Sequence, residues 1–280
     1  MQKDQLLTRR RMLIAGAAAL GTAGTAGLFA SRTGGTPAPV TAPAAPGPQA
    51  RAALNKPSAY RLRPLTGDGV PHARPRGVAV RTEPILEMPA DGRTMVLTFD
   101  DGPDPRYTPA ILDTLDEHGV RAMFFVCGEM AAENKELLAR MADDGHIVGN
   151  HTWSHPLLIQ CDRNQIRSEM VRTSDVIEDA YGERPKWFRA PYGAWNRAAF
   201  QLGAEMGMEP LAWTVDSTDW TTPGTGTVVD RVENGAAPGV VVLSHDAGGD
   251  RSQSVQALRQ YLPFLLDNGY HLTVPRRHPA

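Results

Sequence analysis

Cysteine is nearly absent: Cys127 and Cys161 are the only two in 280 residues. Two thiols are too few for a disulfide-stapled scaffold or a cysteine-bound zinc cluster. Charge excess is lacking too, with 29 basic against 31 acidic residues and a formal net charge of -2. No basic field invites nucleic acid, and no acidic tail invites a cationic partner. Strong apolar runs are also missing near the N-terminus. The uncharged stretch from Ile14 to Ala30 is rich in Gly, Ala and Thr. Its roughly 17 residues sit at the lower limit for a bilayer span, which takes about 20. No cysteine sits directly after that stretch, which argues against lipoprotein anchoring.

What is present supports one large folded domain with extensions. Hydrophobic residues make up 41% of the chain, enough for a real core. Thr8-Arg9-Arg10-Arg11-Met12-Leu13 precedes the weakly apolar stretch. That order resembles a twin-arginine export signal over residues 1–30. The expected location is therefore extracellular or cell-wall associated. No clean A-x-A site precedes Ser31, so retention as an uncleaved membrane tether is the alternative. Residues 31–77 carry Pro37-Ala38-Pro39 and Pro43-Ala44-Ala45-Pro46. Such a segment buries too little apolar surface to fold and reads as a linker. The folded domain is then expected over 78–280, and a monomer is expected.

Within that domain β-prone and helical stretches alternate. The strand-like segments are Met95–Phe99, Ala122–Val126, His146–Gly149, Trp187–Ala190, Pro210–Val215, Gly239–Ser244 and Tyr270–Thr273. Seven strands separated by helices argue for a parallel α/β sheet, open or closed. Thr108 reads as the N-cap of the first helix with Pro109 at its first helical position, and Asp162 with Gln165 as a capping box. Pro263 predicts a break or kink in the last helix. The polar residues of interest fall just after strand ends, where parallel α/β folds place their sites.

Five segments carry the chemistry. Asp100-Asp101-Gly102-Pro103 sets two carboxylates side by side; alone it is also good turn chemistry. His151-Thr152-Trp153-Ser154-His155 spaces two imidazoles four apart, a spacing that suits one metal. Two histidines and one carboxylate leave a position open for water, as in catalytic zinc sites. Arg189-Ala190-Pro191-Tyr192-Gly193 supplies a cation for a carboxylate and a turn whose Tyr192 N–H could face an oxyanion. Asp216-Ser217-Thr218-Asp219-Trp220 offers carboxylates to orient an imidazole, and an indole wall. Leu243-Ser244-His245-Asp246 ends a strand on a histidine that a carboxylate could keep protonated.

These segments, in this order over roughly 95 to 273, resemble the motif set of the polysaccharide deacetylases, carbohydrate esterase family 4 or NodB-homology domain. The resemblance implies a distorted (β/α)7 barrel as a single catalytic domain. It implies Asp101, His151 and His155 as ligands of a divalent metal, most often zinc. It implies Asp100 as general base tuned by Arg189, and Tyr192 as oxyanion donor. It implies His245 as general acid oriented by Asp216, with Trp220, Leu243 and Pro191 around the acetyl group. The expected partner is an N-acetylated glycan, peptidoglycan or chitin-like. Alternatives are O-acetyl esters such as acetylxylan, a non-glycan amide, or glycan binding without turnover. His146 is expected to be structural and Asn150 to support the ligands. Met123, Met170 and Met206 are expected in the core, and a Cys127–Cys161 disulfide is permitted outside the cytoplasm.

Overall fold

The computed structural model describes residues 79–89 and 92–275. The expected export signal and linker lie outside the described residues. The domain is a parallel sheet wrapped by helices. Its strands are β1 (Thr94–Asp100), β2 (Met123–Val126), β3 (Ile147–Asn150), β4 (Trp187–Phe188), β5 (Glu209–Pro210), β6 (Val215–Asp216), β7 (Val241–His245) and β8 (His271–Leu272). The spatial order is β5-β4-β3-β2-β1-β7-β6, and β8 pairs with the start of β1. The helices are α1 (Thr108–Glu117), α2 (Gly128–Glu133), α3 (Lys135–Asp143), α4 (Arg163–Tyr181), α5 (Arg197–Glu205), α6 (Thr225–Gly235) and α7 (Ser252–Asp267).

The sheet has to curl, and the chain itself shows why. The expected strand Pro210–Val215 is in fact two strands that pair at opposite edges, β5 with β4 and β6 with β7. Only Leu211–Thr214 joins them, and five Cα steps reach at most ~19 Å. A flat seven-stranded sheet would hold its edges roughly 29 Å apart. The connecting backbone is committed along the way: Ala212 N–H donates to Ile85 and Thr214 N–H to Val241. The result is a distorted barrel.

Alternation along β1 sorts its side chains into two layers. Met95, Leu97 and Phe99 join Ile111, Leu112, Leu258 and Leu262 under the helices. Val96 faces the other way, into a floor of Met123, Phe125, Leu211 and Val241. Thr98 and Asp100 share that inner face, so β1 turns polar as it reaches its carboxyl end. Gly149 on β3 has no Cβ because one would lie 2.7 Å from the Phe125 ring.

Three local expectations differ from the structure. Thr108 is the first residue of α1, not its cap; its hydroxyl is used on Asp246 and on the Asp104 N–H. Helix α7 continues through Pro263, held by its buried face of Leu258, Tyr261, Leu262 and Leu265. Cys127 and Cys161 are free thiols, each turned to a backbone carbonyl, of His151 and Leu157 respectively. The capping box of Asp162 and Gln165 on α4 is present as expected. His146 is core: it is buried, accepts the Ala122 N–H, and meets Phe124 edge-on.

Candidate active site

The strand ends open into one cleft of about 690 Å³, lined among others by Asp100, Asp101, His151, His155, Tyr192 and His245. Its foundation is a buried cation. Arg189 follows β4, is fully buried, and lies over the faces of Phe125 and Trp213. Every arm of its guanidinium has a partner. Nε donates to the Leu211 carbonyl, one terminal nitrogen to Ala212, and the other to Thr98 and, at 2.7 Å, to Asp100. A buried ion pair is tolerated when its hydrogen-bonding groups are satisfied in this way. Burial raises the Asp100 pKa above its ordinary value, and Arg189 opposes that rise. The balance leaves a carboxylate with more affinity for a proton than a solvated aspartate.

Asp101 follows β1 with φ of +76°, and both carboxylates approach His151, whose Nε2 lies 3.7 Å from Asp100 Oδ2. The Asp101 Oδ1 lies 3.5 Å from His151 Nε2 and 3.3 Å from His155 Nε2. That oxygen is buried and has no hydrogen-bond partner. The Nδ1 of His151 lies 2.8 Å from the Arg189 carbonyl, which fixes the proton on Nδ1 and leaves Nε2 with its lone pair toward Asp101. Burial above all lowers the His151 pKa to about 3, so the ring is neutral. One donor atom from each of Asp101, His151 and His155 falls within 4.8 Å of the others. A carboxylate oxygen without a donor, within 3.5 Å of two imidazole nitrogens, fits a divalent cation.

Opposite stands His245, the last residue of β7. Its Nδ1 and its backbone N–H both donate to Asp219, at 2.7 and 2.8 Å, and Ser254 adds a hydroxyl to the same carboxylate. Burial pulls the His245 pKa down, but the Asp219 bond and charge, with Asp100 and Asp101, outweigh it and raise the value to about 9. Asp219 is correspondingly lowered. This corrects the expectation for Asp216. The Asp216 carboxylate lines the cleft but accepts the Thr218 N–H instead of the imidazole. Thr218, at φ +54°, starts a short 3-10 turn over Asp219–Thr221 that swings Asp219 back under β7.

Tyr192 sits at φ +59° in the turn after Arg189 and packs its ring on His155, centroids 4.5 Å apart. Its backbone N–H donates to no group among the described residues. Trp220 and Leu243 line the cleft as expected, Trp220 being 56% exposed at the rim. Pro191 is buried under the turn and does not line it, a second correction. Asn150 supports the ligands: it accepts the Thr152 N–H and donates to Met170 and Ser174 on α4.

Comparison with known proteins agrees with this geometry. The polysaccharide deacetylase family model matches residues 87–211. A chitooligosaccharide deacetylase of Rhizobium leguminosarum bv. trifolii is 38% identical over 200 residues, covering 68% of this chain and 93% of that one. The chain belongs to the polysaccharide deacetylase family. A crystal structure of a peptidoglycan N-acetylglucosamine deacetylase, in complex with a substituted N-hydroxybenzamide, superposes with a TM-score of 0.65 at 35% identity, over 68% of this chain and 89% of that one. A family 4 pseudoenzyme mutated to restore activity superposes with a TM-score of 0.64 at 30% identity, over 69% and 70%. The family model stops before β6 and β7, so the Asp219–His245 pair is known here from its geometry.

Sequence reasoning missed several residues of this deacetylase-family site. Asp246, next to His245, is buried with Oδ2 on the Thr108 hydroxyl and Oδ1 unpartnered. Burial, with help from Asp101 and Asp100, raises its pKa to about 7. Gly248 packs so closely that a Cβ would lie 2.5 Å from Asp101 Oδ2. Arg251 clamps the same loop through the carbonyls of Ala247, Gly248 and Asp219. Adjacency to His245 was the only signal for Asp246.

Proposed function

We propose that this protein hydrolyses the N-acetyl groups of an N-acetylglucosamine-containing glycan, with a divalent cation held by Asp101, His151 and His155. The observation that carries the reading is the unpartnered Asp101 oxygen beside the Nε2 atoms of His151 and His155, across the cleft from a protonated His245. When bound, the cation, most simply zinc, polarises the amide carbonyl and acidifies water. The remaining work belongs to the chain. Asp100, raised in pKa and anchored by Arg189, takes a proton from the attacking water. The Tyr192 N–H donates to the oxygen on which charge develops. His245 delivers its proton to the departing nitrogen, and Asp219 holds the ring for that transfer. Water adds to the carbonyl carbon, the carbon–nitrogen bond breaks, and acetate and a free amine remain.

The substrate class follows from the relatives, which act on chitooligosaccharides and on peptidoglycan N-acetylglucosamine, and whose common chemistry is the N-acetylglucosamine acetamide. The basic run Arg9-Arg10-Arg11 ahead of a weakly apolar stretch supports export, and the Pro-rich segment supports a tether reaching a wall glycan. The test is acetate release from chito-oligosaccharides, purified peptidoglycan and acetylxylan, before and after chelation and metal restoration. Release from the first two only with a divalent metal is expected. Full activity in demetallated protein refutes the metal reading, and turnover of acetylxylan alone refutes the N-acetyl reading.

A further inference from the structure

The two histidines of the cation site are held in different ways. His151 has its Nδ1 on the Arg189 carbonyl. No group among the described residues hydrogen-bonds the His155 ring; it leans on Tyr192 and His151. The position of His155 therefore depends on the backbone between them. That backbone is under strain: Thr152 stands at φ +70° and His155 at φ +56°. Residues other than glycine are strained in the left-handed region, so the loop needs outside support to keep its shape.

Most of that support comes from one face of α4. Glu169 Oε2 accepts the N–H groups of Trp153 and Ser154, both at 2.8 Å, and Oε1 accepts the Ser154 hydroxyl at 3.0 Å. Three residues on, Arg172 lies 3.9 Å over the Trp153 ring. The first N–H groups of α2 take the carbonyls of Thr152 and Trp153. Every hydrogen bond of the Glu169 side chain is thus spent on Trp153 and Ser154, just before His155, and Glu169 does not itself line the cleft.

We propose that Glu169 is a positioning residue: by clamping the Trp153 and Ser154 amides it sets the ring of His155 for cation binding. The proposal rests on the metal reading above. It separates the shape of the acceptor from its charge. In Glu169→Gln the amide oxygen still accepts both N–H groups, and the Ser154 hydroxyl can turn to accept from the amide nitrogen. Glu169→Asp keeps the charge but withdraws it by one methylene. Glu169→Ala removes both.

Zinc is titrated into the metal-free purified chain against a competing chromophoric chelator, and the cobalt-substituted forms are compared by their visible ligand-field spectra. Loss of groups that orient a ligand costs typically about 10–100-fold in metal affinity. That loss is expected for Glu169→Ala and Glu169→Asp, with an altered cobalt spectrum. Glu169→Gln is expected to retain wild-type affinity and spectrum. A purely structural role would lower the melting temperature of the metal-free variants and leave affinity and spectrum unchanged, and this result overturns the proposal. So does Glu169→Gln losing zinc as Glu169→Ala does. Should Glu169→Ala not fold, Glu169→Asp decides. A wild-type chain that binds no zinc or cobalt refutes the metal reading itself, a result distinct from equal binding by all forms.

Discussion

Replacing Asp219 with Asn tests the acid half of the site. The wild-type carboxylate accepts two bonds from His245 and one from Ser254, and the His245 pKa stands at about 9 against an ordinary 6.5. In the variant the burial that lowers the pKa persists and the main charge that raises it is gone. The value should fall to about 6.5 or below, which leaves ~10% or less of the imidazole protonated at pH 7.5 instead of nearly all. The rate at that pH should drop about tenfold or more, and the alkaline limb of kcat/KM should move by more than one pH unit. A bound cation near Asp101 opposes protonation of His245, so the limbs are compared at equal metal loading. Stability changes with the same titration. Because the folded pKa lies above the unfolded one, the pair contributes fully below about pH 6.5 and loses its contribution as pH rises through about 9. The melting temperature of the wild type should decline over that window, and that of Asp219→Asn should decline less. The substitution leaves a buried donor poorly matched, at about 1–3 kcal/mol, so folding is checked by circular dichroism. Asp216→Asn is the control and should leave the alkaline limb in place. An unmoved limb in Asp219→Asn, or a moved one in Asp216→Asn, refutes the assignment.

Adjacent carboxylates should fail differently. Asp101→Asn should lose metal by elemental analysis, whereas Asp100→Asn should keep it and lose about 10²–10⁴-fold in kcat; the reverse pattern reverses base and ligand. Gly248→Ala places a methyl 2.5 Å from Asp101 Oδ2 on a residue at φ +75°, so metal affinity should fall by about tenfold or more in a zinc titration, as it does when support around a ligand is lost. Unchanged affinity would show that Asp101 yields without cost. Arg9→Lys with Arg10→Lys should abolish export while cytoplasmic protein stays folded; normal extracellular amounts by immunoblot would refute the twin-arginine reading.

The strands and the chemistry were legible in the sequence to different depths. β1, β2, β3 and β7 were readable because buried parallel strands appear as short apolar runs, and each ends on a cleft residue or immediately before one. The division of 210–215 was not. Nothing in Pro-Leu-Ala-Trp-Thr-Val says that its two ends pair at opposite edges, since that follows from closure of the sheet. Nor does the sequence mark where Pro263 is tolerated, because the apolar face of α7 that holds the helix together is defined only by packing.

The site shows the same division between what spacing encodes and what closure creates. Asp101, His151 and His155 are local patterns at strand ends, and the structure brings them within reach of one ion. The choice between Asp216 and Asp219 is not local. Both lie near His245 along the fold, and what separates them is a left-handed Thr218 that reverses the chain and carries the second carboxylate under β7. Glu169 is further from legibility. In sequence it is one more polar residue on a long, charged helix, indistinguishable from the solvated face that carries Arg163 and Arg167. Its function exists only because α4 packs against a loop that two strained residues would otherwise release. The ligands were readable because coordination chemistry restricts residue type. Their supports were not, because any acceptor of the right reach would serve, and reach is a property of the folded chain.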